Sequence, residues 1–145
     1  MIRRGFTLVE LMMVMVLIGV LATVAAPRLL ERNALDEHAA AETLRSLLRA
    51  SRAVAVAQER DVCVLVAATT VRAVYAGPLG CDPARPLAGA GGQPELRIAA
   101  PTGLAFGGDA VLRFGTRGQL VPALDRRVTL GTRQWLVERR TGVVL

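Results

Sequence analysis

The stretch FTLVELMMVMVLIGVLATVAA, residues 6–26, decides the architecture. It is twenty-one residues long and holds a single charge, Glu10. Wound as an α-helix it would reach about 31 Å, the depth of a bilayer's hydrocarbon core. The segment therefore predicts one membrane-crossing helix. Arg3 and Arg4 precede it, and the positive-inside bias places that end in the cytoplasm. Arg28 and Arg32 on the other flank dilute the bias, so orientation rests on more than charge counting.

A basic start followed by an apolar run also describes a secretory signal peptide. Two features argue against that reading. The run exceeds an ordinary signal core, and the only small-residue cleavage site near its end, Val24-Ala25-Ala26, is followed by Pro27. Glu10 is out of place in either a signal peptide or a plain anchor. A carboxylate in the hydrocarbon costs about 2.5–3.5 kcal/mol on insertion scales, so a compensating charge is expected. Without one, Glu10 would simply lie within reach of headgroups and water.

The string Arg3-Arg4-Gly5-Phe6-Thr7-Leu8-Val9-Glu10 resembles the class III leader of type IV pilins and type II secretion pseudopilins. The resemblance implies cleavage after Gly5 by a prepilin peptidase, N-methylation of Phe6, and retention of the apolar helix in the mature chain. It also implies that Glu10 of one subunit neutralises the Phe6 amine of a neighbour during assembly. Such a pair is favourable in low dielectric only where its geometry is good. Pro27 falls where many members of that superfamily carry a helix-bending proline. The implied location is the bacterial inner membrane, with the N-terminus cytoplasmic, the C-terminal domain periplasmic, and the protein incorporated into a filament with other pilins or pseudopilins.

After Pro27 the apolar residues become periodic. Leu30, Ala34, Ala41, Leu44, Leu48 and Ala55 recur near a three-and-four spacing, with charged residues largely filling the other faces. This predicts an amphipathic helix to about Arg60. Beyond Asp61 the pattern turns to short strand-like runs: a hairpin of 62–68 and 71–76 around Thr69-Thr70, then strands at 96–99, 110–114, 119–121, 127–130, 134–138 and 143–145. The Gly- and Pro-rich segment 77–95 reads as a long loop. The expected organisation is a leader at 1–5, a transmembrane and assembly helix at 6–27, an amphipathic helix at 28–60, and a β-rich periplasmic domain at 61–145. The fold class is α+β, a long N-terminal helix packed on an antiparallel sheet or sandwich.

The C-terminal half resembles the minor pilin branch called GspH/FimT. The resemblance is carried by Leu112-Arg113-Phe114, Gly115-Thr116-Arg117-Gly118, a strand near Val128, and Trp135-Leu136-Val137 running to Thr141-Gly142-Val143. It implies a minor pseudopilin of the type II secretion pseudopilus, supporting export across the outer membrane. The alternative is a FimT-like type IV minor pilin serving pilus biogenesis or DNA uptake. DNA-binding members of that branch carry a basic tail after the terminal Gly, whereas here Gly142 is followed by Val143, Val144 and Leu145. Arg139-Arg140 is the nearby pair that could contact DNA, with Arg126, Arg127 and Arg133 as further candidates.

All 18 basic residues are Arg against 12 acidic, a net +6, and they are scattered rather than run together. That suits a solvated surface better than a nucleic-acid stripe. Aromatic residues make up 3% of the chain, too few for a stacking platform on single strands. Cys63 and Cys81 are the two cysteines, and in an oxidising periplasm one disulfide between them is expected, with two unpaired thiols as the alternative. His38 is the single histidine and reads as an exposed helix residue, not a metal ligand. No nucleophile–base set, phosphate-binding loop or carboxylate pair is recognisable, so no enzyme, cofactor or metal is expected.

Overall fold

The computed structural model describes residues 7–145, except for the side chains at 24–34. The leader 1–5 and the expected cleavage and methylation positions, Gly5 and Phe6, lie outside the described residues. So do the side chains of Leu30, Ala34 and Pro27, and with Pro27 the bend expected there.

Helix α1 runs Leu8–Ala57. Thr7 caps it: the Glu10 amide donates to Thr7 Oγ1 at 3.3 Å. At the other end Glu59 takes a positive φ of 50°, and the chain closes back on the last turn. There Arg60 N donates to Ala55 O (3.2 Å) and Glu59 N to Val56 O (3.4 Å), the paired bonds of a Schellman cap. The helix therefore stops at Ala57, three residues before the expected Arg60, because this cap satisfies its last carbonyls.

The chain separates into two compact units, Met1–Leu35 and Asp36–Leu145. In the first, every described residue of α1 from Leu8 to Thr23 is exposed. In the second, α1 from Asp36 onward lies with eight strands: β1 (Val62–Ala67), β2 (Thr70–Gly77), β3 (Gly80–Pro86), β4 (Arg97–Ala99), β5 (Phe106–Gly108), β6 (Val111–Phe114), β7 (Arg126–Leu130) and β8 (Arg133–Val137). One antiparallel sheet has the order β3-β2-β1-β6, with β4 also pairing β2; a second has the order β5-β7-β8.

Both sheets turn one face to the same core. Ala41, Leu44, Leu47, Leu48 and Ala55 of α1 are buried in one cluster with Val62, Val64, Val71, Leu112 and Phe114 of the first sheet and Val128, Leu130, Trp135 and Val137 of the second. Val128 and Leu130 alternate with Arg127 and Thr129 along β7, the period-two pattern of a half-buried strand. The fold is α+β, as the pattern of one long helix followed by short strands requires.

The strand expectations are corrected in four places. The first hairpin turns at Ala68-Thr69, since Ala67 pairs with Thr70. The segment read as a loop, 77–95, contains β3, which pairs Ala76 with Cys81 and Val74 with Pro86 across a register shift. Its Gly and Pro content hid a strand whose irregular stretch takes in Pro83, while Pro86 stands paired with Val74 at its end. Gly80, at φ 122°, makes the turn that starts it. Strand β5 was missed because Phe106-Gly107-Gly108 has too little side chain to show alternation. The runs at 119–121 and 143–145 are single bridges, Leu120 to Phe114 and Val144 to Val137.

Candidate functional site

The N-terminal site begins at the first turn of α1. Glu10 lies in that turn, where a carboxylate opposes the positive end of the helix dipole. With Thr7 as cap and Glu10 three residues on, the sequence carries the Thr-x-x-Glu signature of a capping box, a signal the sequence reading passed over. From Leu8 to Thr23 Glu10 is the only charged side chain, and Leu8, Val9, Met12, Met13 and Leu21 are all more than 60% exposed. Among the described residues, no helix is long and apolar enough to cross a membrane. The apolar run of residues 6–26 extends past the described side chains at both ends.

In the second unit Cys63 and Cys81 are bonded, with Cα atoms 5.8 Å apart. Cys63 faces Val74 across β1 and β2. Cys63 is fully buried yet lies outside the main cluster, on the other face of the sheet by strand alternation, and Cys81 is half-buried. The disulfide ties β3 to β1 although β2 lies between them in the sheet.

The arginines divide sharply. Arg113 makes a two-pronged bond to Asp61, Nη2 at 2.6 Å and Nε at 2.8 Å. Arg126 reaches Asp109 at 2.9 Å, and Arg133 reaches Glu37 at 3.7 Å. Asp109 also accepts from Arg127 N at 2.7 Å. That backbone bond is the largest influence on its carboxyl and, with the Arg126 guanidinium helping, holds it below the usual range against the opposing effect of burial. Arg127 stands elsewhere, by a recess of about 280 Å³ lined also by Gln134, Trp135, Leu136 and Leu145.

Arg139 and Arg140 sit on the turn after β8. Glu138 holds that turn by accepting from Thr141 Oγ1 (2.6 Å), Thr141 N (2.7 Å) and Arg140 N (3.0 Å), which lowers its own carboxyl pKa, the Thr141 hydroxyl contributing most. Asp125 accepts from Arg139 N at 2.8 Å, and Arg52 Nε donates to Thr141 O at 2.6 Å. Gly142, at φ 63°, presses against the backbone of Gly118, so closely that a Cβ there would strike the Gly118 carbonyl oxygen. This contact brings Arg117 beside the pair. Arg117, Gln119, Ala123, Arg139 and Arg140 line a recess of about 310 Å³. Of the arginines proposed from sequence for DNA contact, the fold gathers only Arg139 and Arg140; Arg117, which the sequence reading left out, joins them. Only the long-range meeting of Gly118 and Gly142 could have revealed it.

His38 is an exposed residue of α1. Among the described residues no three of His, Cys, Asp and Glu stand together in a way that could hold a metal ion.

Residues 1–26 match the family described as the prokaryotic N-terminal methylation motif. Among curated proteins none matches the sequence significantly. Two crystal structures of the Pseudomonas aeruginosa type IV minor pilin FimU are similar in fold, each with a TM-score of 0.57. One is 19% identical over 74% of this chain and 90% of its own; the other is 21% identical over 77% and 87%.

Proposed function

We propose, starting from a chain that has the N-terminal methylation motif and the fold of the type IV pilin and pseudopilin superfamily, that it is a non-enzymatic minor subunit of a pilus-like filament. The observation that carries this reading is the joining of that motif to a compact β-rich unit similar to a minor pilin. Prepilin peptidase cleaves after Gly5, Phe6 is methylated, and the apolar segment anchors the chain in the inner membrane with residues 61–145 on the periplasmic side. The N-terminus then serves as the assembly element, packing against the equivalent helices of other subunits.

Glu10 has a definite electrostatic task in this scheme. Cleavage leaves a positive amine on Phe6 beside the positive end of the helix dipole, two like charges at one place. Glu10 sits in the first turn, where a carboxylate offsets both within one chain or answers the amine of the next. Pairing removes two desolvated charges, which favours a single assembly register.

The similarity to FimU supports a type IV minor pilin first. A second reading, a minor subunit of the type II secretion pseudopilus, is favoured by the C-terminus. There Val143 and Leu145 bond back to Glu138 and Leu136 in the sheet edge, and the apolar segment 143–145 offers DNA no basic side chain. A pilus operon or a secretion operon around the gene separates the two.

Replacing Glu10 by Ala tests the core of the proposal. The variant is expected in the membrane fraction at wild-type level but absent from sheared filaments. Normal incorporation of that variant, or a mature N-terminus other than methylated Phe6 by mass spectrometry, would overturn it.

A further inference from the structure

The recess between the turn after β8 and the loop at Gly118 holds three arginines with no visible internal employment. Elsewhere six arginines are within ion-pair distance of a carboxylate: Arg45, Arg72, Arg97, Arg113, Arg126 and Arg133. Among the described residues, the guanidiniums of Arg117, Arg139 and Arg140 have no such partner. All three side chains are exposed. The two nearest acids in the chain, Asp125 and Glu138, are turned to backbone amides of the same turn. They hold the backbone of the turn and make no ion pair with the three guanidiniums, although the Arg139 charge acts on Glu138 through space.

This is a built surface, not a loose patch. The backbone under Arg139 is fixed at both faces, its N–H by Asp125 and its C=O by the Leu120 amide at 2.9 Å. Arg117 N is held by Gln119 Oε1 at 3.1 Å. Arg52 and the Gly118–Gly142 contact clamp the two loops together. Three like charges held side by side repel one another, and an anion relieves that repulsion.

We infer that this recess docks an acidic, partly apolar segment of a partner protein, and under the subunit reading that partner is a neighbouring subunit. Two observations favour a protein over a nucleic acid. No aromatic residue lines the recess, so it offers no stacking platform to bases. Ala123 forms part of its wall, and the same loop exposes Val121 and Leu124, the latter to 55%. Arginine framed by small apolar surface is the composition of a protein interface, where a guanidinium can grip a carboxylate with two bonds.

The test uses the full chain in detergent micelles and fluorescence anisotropy. The probes are a short labelled peptide centred on Glu-Leu-Glu, its Gln-Leu-Gln counterpart, and a labelled duplex DNA at the same ionic strength. The acidic peptide is expected to bind about tenfold more tightly than either alternative. The Arg139→Gln/Arg140→Gln variant should lose about tenfold in that affinity with its thermal midpoint unchanged, while Arg72→Gln/Arg97→Gln should bind as wild type. Should the double variant fail to fold, Arg117→Gln on the other loop carries the same expectation. Equal binding of the neutral peptide, retained affinity in the Arg139/Arg140 variant, or tighter binding of the duplex would overturn the inference. No filament is needed for these measurements, so their failure is distinct from a failure of the Glu10 experiment.

Discussion

Gly142 and Asp109 show how single residues shape the β-rich unit. At Gly142 the positive φ and the Gly118 carbonyl both exclude a side chain. Gly142→Ala is expected to lose about 2–3 kcal/mol of stability, read from the denaturant midpoint, and to separate Arg117 from Arg139 and Arg140. An unchanged midpoint would mean that the two loops are not clamped as described. Asp109 joins β5 to β7 by accepting from the amide of Arg127 and the guanidinium of Arg126. Its folded pKa lies below the ordinary 3.8, so its contribution is fully present above that value and is lost as the pH falls through the lower folded value. Asp109→Asn should therefore be less stable than wild type by about 1 kcal/mol at neutral pH. The gap should close below pH 3.8 as the native carboxylate takes up its proton. A gap that stays constant with pH in parallel unfolding curves would show that charge plays no part at this position.

Among the elements, β3 departs most from its sequence. A segment rich in Gly and Pro has weak strand propensity, and its register on β2 shifts between Val74 and Ala76. What holds it is covalent: the Cys63–Cys81 bond closes a loop of 18 residues' separation. In the chain-entropy model such a loop contributes roughly 3 kcal/mol. Cys63→Ser/Cys81→Ser should lower stability by about that much, and hydrogen exchange should show β3 opening before β1 and β2. Equal protection of β3 in the variant would place its stability in the ladder bonds instead. Much of this element was legible in part only: two cysteines announced a bond, but pairing between Ala76 and Cys81 depends on a bulge that no local pattern records. By contrast, β7 and β8 were placed within a residue of their ends, because Val128, Leu130, Trp135 and Val137 alternate with exposed neighbours.

At the scale of the whole molecule the compact unit from Asp36 to Leu145 contains the entire described core. Expressed alone, it is expected to unfold in one cooperative denaturant transition of roughly 5–10 kcal/mol. Separate transitions by tryptophan fluorescence, which follows Trp135, and by far-ultraviolet dichroism would contradict a single core. The sequence by itself determined the N-terminal motif, the order of one long helix before many short strands, and the helix face at Ala41, Leu44, Leu48 and Ala55. Each of these is a local pattern, written by the period of burial or by adjacent residues. Only the tertiary structure decided which arginines are engaged and which are free. Arg113 finds Asp61 from 52 residues away, while Arg117 meets Arg139 and Arg140 because two glycine turns touch. Charge partners are chosen by distance in space, and for residues far apart along the chain that distance exists only once the sheets have closed on the helix.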